Sequence, residues 1–177
     1  MRAWLAATAA LALCAGPALA QKTKSPAVPH GVAALEVCER FASGDVLAVD
    51  DARARGWDAH EAASESPYVR TYSGSRELPG VGLANLYALV EDYPGTSFGY
   101  CRLDVAEPAV AEGAPEIAAI EALDRYEGTT RTTEDGSFVS LRGTGDAAPS
   151  LLLAHWTDSS FVIQLTMITP TAAAETR

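Results

Sequence analysis

Basic and amide side chains are scarce in this chain. Lys22 and Lys24 are the only lysines and Asn85 is the only asparagine, and 13 Lys and Arg stand against 23 Asp and Glu for a net charge of −10. A chain with that balance and no basic run repels phosphate backbones and anionic lipid heads, so neither nucleic-acid binding nor membrane-surface association is expected. The three histidines, His30, His60 and His155, are scattered singly. "HEAAS" at His60 opens like a zinc-binding H-E-x-x-H, but Ser64 stands where the second histidine is needed. No metal site is expected, and no cofactor either. There is no Walker loop, and "GVGLAN" at Gly80 lacks the third glycine of a dinucleotide fingerprint and leads into a strand. Beyond the N-terminus no apolar run approaches the roughly 20 residues of a membrane-spanning helix. The longest late one, Leu151 to Trp156, is strand-sized.

The N-terminus reads "MRAWLAATAALALCAGPALA". Arg2 supplies a positive start, Trp4 to Cys14 a short apolar core, and Ala18-Leu19-Ala20 a small-x-small cleavage signal. This is the pattern of a secretory signal peptide over residues 1–20, with cleavage near Ala20. Ala and Arg are frequent where Lys and Asn are rare, a bias typical of GC-rich bacterial genomes. Together these features predict a periplasmic or secreted protein, with no stable membrane insertion after cleavage. The remaining length suits one domain.

Two cysteines survive cleavage, Cys38 and Cys101. An even number in an exported chain predicts a disulfide, because that compartment oxidises paired thiols. In "VAALEVCERFASG", Ala34, Leu35, Cys38, Phe41 and Ala42 recur at helical spacing, with Glu36, Glu39 and Arg40 on the other side. In "TSFGYCRLDV", Cys101, Leu103 and Val105 share one face of a strand, and Tyr100, Arg102 and Asp104 the other. Both sulfurs therefore point inward, one from a helix and one from a sheet. A bridge between them is the expectation, ahead of two buried thiols or a reactive cysteine.

Residues 21–32 read as a flexible arm, 33–169 as a single domain and 170–177 as a disordered tail. Within the domain, a helix from near Ala33 to Ala42 is followed by a short one, "VLAVDDARAR", introduced by Asp45, stopped by Gly56 and covered by Trp57. Residues 58–66 read as an acidic loop. Period-two alternation starts after Pro67, "SGSRELPG" reads as a connection, and 81–90 reads as a strand leading through Pro94-Gly95 into the Cys101 strand. "PEIAAIEALDRYEG" is a third helix, with Pro115 at its start and Gly128 at its stop. Two further hairpins follow, "TTRTT"/"FVSLR" and "LLLAHW"/"FVIQLTMIT". The expected fold is therefore α+β: a mainly antiparallel sheet of hairpins with two or three helices packed on one face.

Catalytic candidates are thin. "GTSFG", residues 95–99, matches the letters of the G-x-S-x-G nucleophile elbow, but a strand rather than a helix follows Ser97. Glu91-Asp92 and Glu134-Asp135 read as solvated pairs at turns, Asp50-Asp51 as the outer surface of a helix, and no catalytic residue is assigned. His155 shares one strand face with Leu151 and Leu153, while Leu152, Ala154 and Trp156 share the other, and the pattern does not choose which is the core. If His155 is on the outer face, it joins Tyr68, Arg70 and Tyr72 as candidates for a ligand patch.

The leader, the helical Cys38, the short helix ending in "ARGW" and the strand "GYC" together resemble small uncharacterised exported proteins of proteobacteria. The resemblance covers roughly the first half of the mature chain. It implies a disulfide-bridged α+β domain and no activity. The functional expectation is a non-catalytic exported domain that binds a protein or a small ligand. The alternative is a hydrolase-like enzyme using His155 with Ser97 or nearby carboxylates. A binder is expected to show an exposed apolar or aromatic patch on the sheet, and an enzyme a deep pocket with convergent polar groups.

Overall fold

A computed structural model describes residues 28–109, 113–145 and 149–171. The predicted signal peptide, most of the predicted arm and most of the predicted tail lie outside these residues.

Helix α1 (His30–Ala42) buries Ala34, Leu35, Val37, Cys38, Phe41 and Ala42, the apolar stripe seen in the sequence. It starts before Ala33 because the Gly31 amide donates to Glu116 Oε2 at 2.8 Å, so a carboxylate from another helix satisfies one of its orphan donors. Helix α2 (Ala48–Ala54) follows a turn in which Asp45 Oδ1 accepts from the Leu47 amide at 2.9 Å. Trp57 is buried at its end. Helix α3 (Ala114–Glu121) has a proline in its first turn. It ends well short of Gly128, because the chain from Tyr126 onward is already in a strand.

The strands are β1 (Asp58–Ala62), β2 (Val69–Leu78), β3 (Gly82–Tyr93), β4 (Thr96–Ala106), β5 (Tyr126–Thr133), β6 (Gly136–Gly143), β7 (Ser150–Thr157) and β8 (Ser160–Pro170). They form one eight-stranded sheet in the order β1-β2-β3-β4-β8-β7-β6-β5, with every neighbouring pair antiparallel.

This corrects the expected fold class. The fold is sheet-dominated rather than a set of hairpins organised under helices: 53% of the structure is strand and 20% helix, and the hairpins fuse into a single continuous antiparallel sheet. Two local readings contributed. Residues 58–62 are an edge strand rather than a loop, with only Ala59 buried, so no alternation marks it. "SGSR" is strand rather than turn. Gly74 lies flat against β1, where an added Cβ would sit 3.4 Å from that of Ala59, and the reversal comes later, at Gly80 with φ +75°.

The sheet is two four-stranded meanders, β1–β4 and β5–β8, each preceded by a helix and joined along β4 and β8. Those two strands are each eleven residues long. Their midpoints, Cys101 and Leu165, are register partners. The two halves are thus related by a pseudo-two-fold axis through the seam, a repeat of topology without a repeat of sequence. Helix α1 lies against β3, β4 and β8, α3 against β5, β6 and β7, and α2 against β1.

The core lies under these helices. Leu103, Val105, Phe161, Ile163 and Leu165 of the seam strands are fully buried, as are Ile117 and Ile120 of α3. The end of α1 sits directly on β4: a Cβ at Gly99 would fall 1.6 Å from the Ala42 carbonyl oxygen. Cys38 and Cys101 are bonded, with an S–S distance of 2.04 Å and Cα atoms 5.3 Å apart, and both are completely buried. The expected disulfide is therefore present.

Closing a loop of 63 residues limits the unfolded chain by about 4 kcal/mol in the chain-entropy account. The double variant Cys38→Ala/Cys101→Ala is expected to lose about that much stability in urea denaturation, and reducing agent is expected to have no effect on its midpoint. Gly99→Ala is expected to cost about 3 kcal/mol or more, because backbone rather than a flexible side chain occupies the space. A midpoint unchanged by Gly99→Ala would contradict the close approach of α1 to β4.

Candidate functional site

The side of the sheet opposite the helices is open. Strand pleating sends alternate residues there, and the register aligns them into rows across the sheet. One row runs Ser73, Tyr87, Arg102, Gln164, Leu153, Ser140. The row beside it runs Leu89, Tyr100, Thr166, Leu151, Arg142, Glu127. On its other flank lie Asn85, Asp104, Val162, His155, Phe138 and Arg131. Leu83, Tyr87, Phe138, Leu151, Leu153 and Ile168 are all large, apolar and exposed on this face. It is a broad surface, aromatic and aliphatic in its middle rows, carrying both signs of charge.

The core is the Trp156 face of β7, with Leu152 and Ala154, so His155 stands on the open face. Its ring stacks on Phe138 with centroids 5.8 Å apart, and Nε2 lies 3.1 Å from Ser160 Oγ. Partial burial and, secondarily, the Arg102 charge hold its pKa below the usual histidine value.

The other three predicted patch residues are elsewhere. Tyr72 is 5% exposed on the helix side, its ring tilted against Phe41. Arg70 points to that same side, where it donates to the Gly44 carbonyl and the Tyr72 hydroxyl and pairs with Asp92. Tyr68 is exposed just before β2. β3, β4 and β8 intervene between β2 and β7, so these residues and His155 do not form one patch. What sequence reading missed are Tyr87, Phe98, Tyr100 and Phe138. Alternation around Cys101 put Tyr100 on the outer face, but the convergence of these residues depends on the pairing of β4 with β8.

Ser97 is on the helix side, 6% exposed, and its hydroxyl donates to Asp92 Oδ1 at 2.9 Å. His155 is on the opposite face and two strands away, so the two cannot act on one substrate. Glu91 and Asp92 lie within β3 rather than at a turn. Around Ser160, Thr157 and Ser159 form the hydrogen-bonded β7–β8 turn.

On the helix side, a cleft of about 690 Å³ is bounded in part by Glu36, Glu39, Arg40, Arg55, Arg125 and Tyr126. Its charges are paired within the protein. Arg125 binds Glu39 through two nitrogens at 2.7 and 3.1 Å, and Tyr126 donates its hydroxyl to Glu39 at 2.8 Å. Arg55 pairs with Glu36, and Arg40 with Asp45 and Asp51. Burial, reinforced by Glu39, pushes the Tyr126 phenol well above its usual range, so it remains a hydrogen-bond donor. The cleft ties the helices to the start of β5. Among the described residues, no group of His, Cys, Asp and Glu is arranged to hold a metal ion.

His155 makes the open face responsive to pH. Its folded-state pKa is lowered, so the unfolded chain binds the proton more readily. That linkage leaves stability untouched at neutral pH and erodes it as pH falls through about 6.5, the unfolded value, toward the folded one. His155→Gln is therefore expected to lose less stability than the native chain between neutral and mildly acidic pH, read as urea midpoints. Equal losses would show that the ring is not under that influence. No family model, curated protein or solved structure matches the chain.

Proposed function

We propose that the protein is an exported, non-catalytic domain, periplasmic or secreted, that binds a protein partner through the open face of its sheet. The observation that carries this reading is the set of exposed apolar side chains, Leu83, Tyr87, Phe138, Leu151, Leu153 and Ile168, gathered on one continuous face. Large apolar side chains exposed together on one face, rather than scattered singly, mark interaction sites. A face of pleated rows is not a concave pocket, which supports a macromolecule over a small ligand. Interfaces are also enriched in Tyr, Phe and Arg, the types found in these rows.

Export is supported by the leader pattern of residues 1–20 and by a buried disulfide of the kind that persists in oxidising compartments. Among the described residues no helix is long and apolar enough to cross a membrane.

The test is site-specific photo-crosslinking in the cells that make the protein. A photoreactive phenylalanine analogue in place of Leu153 or Tyr87 is expected to give a discrete protein adduct. The same analogue in place of Asp50 or Arg53, on the outer surface of α2, is expected to give none. Absence of adducts from the sheet positions, or the same adducts from α2, would overturn the assignment.

A further inference from the structure

The open face has an internal order that identifies its partner. Among the described residues its β1–β4 half carries Asp58, Glu77, Glu91 and Asp104 with Arg102 and His60, and its β5–β8 half carries Arg131 and Arg142 with Glu127 and His155. Setting the histidines aside, the first half is net acidic and the second slightly basic. We propose that the partner is a second copy of this chain, packed open face to open face with a two-fold axis parallel to the β4 and β8 strands. The proposal rests on the reading of this face as a protein-binding surface and names what occupies it.

Two-fold interfaces are self-complementary, and that condition selects the axis. An axis parallel to the strands lays the β1–β4 half of each copy over the β5–β8 half of the other. Rows are preserved, so each residue meets one in its own row on the far side of the seam. Tyr87 then opposes Leu153 and Leu89 opposes Leu151. Phe98 opposes Ile168, and at the edge Asp58 opposes Arg131. Three apolar pairs thus meet across the interface and one pair of opposite charges meets at the rim, while at the seam Arg102 opposes Gln164 and Asp104 opposes Val162. An in-plane axis perpendicular to the strands lays each half on its own copy, setting the acidic half against itself, which like-charge repulsion disfavours.

The geometry is that of an aligned β-sandwich, whose sheets cross at about 30° at a spacing of about 10 Å. The match is therefore closest at the seam and drifts toward the edges. Size is adequate as well. Eight strands about 4.8 Å apart and about 27 Å long give a footprint of about 1,000 Å², against the roughly 800 Å² per partner buried in a standard interface.

Sedimentation of the mature chain at tens of micromolar is expected to give twice the chain mass. Leu151→Arg, with an unchanged melting profile as its control for folding, is expected to weaken association by at least about tenfold. The axis is tested with cysteines. Tyr87→Cys/Leu153→Cys is expected to form a covalent dimer on oxidation, because within one chain β4 and β8 separate those positions beyond bridging reach. Tyr87→Cys alone is expected to stay monomeric on a non-reducing gel. A monomeric native chain at these concentrations would overturn the proposal. A dimer cross-linked by Tyr87→Cys alone would overturn the axis. Cellular adducts at Leu153 with a different protein, alongside a monomeric chain, would refute self-association while leaving the protein-binding reading intact. No adduct from the open face would remove both.

Discussion

Cys101 stands at the midpoint of β4, opposite Leu165 at the midpoint of β8, on the one pair of strands that joins the two halves of the sheet. Its sulfur is bonded to Cys38 of α1, the helix that runs over that seam. β4 and β8 are far apart in sequence, and pairing strands at long range requires loop closure before contacts reward it. The Cys38–Cys101 bridge closes a different loop, and what it supplies to the seam is a helix held in place over β4. The helix also shields the seam on one side. Its last turn rests on Gly99, where only the missing side chain allows the backbones to meet. A bond between two cysteines thereby becomes part of what holds the sheet to its first helix.

The two sides of the sheet use their polar groups differently. On the helix side the charges are consumed internally: Arg125 and Tyr126 on Glu39, Arg55 on Glu36, Arg70 on Asp92, and Glu116 on the start of α1. These contacts hold α1 and α3 against the sheet and leave few groups free for a ligand. On the open side, Arg102 meets Asp104 at 3.6 Å, and Glu127 pairs with Arg142. Exposed pairs of that kind contribute little to stability, so this face is not held together by its charges. The sheet's outer strands are poor docking edges by comparison. β1 is only five residues long, and β5 carries Glu127 and Arg131. Short and charged edges are how sheets avoid pairing with other chains.

How much of this was legible in the sequence follows from the range of each signal. The disulfide could be read because helical spacing around Cys38 and alternation around Cys101 are local, and each fixes an inward direction. The strands read over 81–90, 129–133, 138–142, 151–156 and 161–169 followed from alternation and turn residues for the same reason, although the third helix was carried over the first residues of β5, as far as Gly128. Residues 58–62 could not: an edge strand with one buried residue carries no period. The single sheet could not either, since each turn signals only its own hairpin and nothing near Cys101 announces Leu165. For His155 the sequence narrowed the choice to two faces, and packing against α3 and Phe161 decided it for Trp156. Tyr72 and Arg70 were placed on the open face, whereas they lie on the helix side, because β2 is intermediate in burial over most of its length and its mixed side chains leave its inward side unmarked.

The covalent pin and the open face are linked through the pleat. Side chains alternate with a period of two, so a strand that slips by one residue exchanges its faces completely. In β4 that slip would turn Phe98, Tyr100, Arg102 and Asp104 toward the helices and expose Leu103 and Val105. Leu103 and Val105 alone resist such a slip only as strongly as their hydrophobic burial allows. Cys101 resists it covalently, since its sulfur must face α1 to remain bonded to Cys38. The same constraint propagates through the ladder to β3 and β8, which take their register from β4. The composition of the exposed surface is therefore fixed from the opposite side of the sheet by a bond that surface never touches.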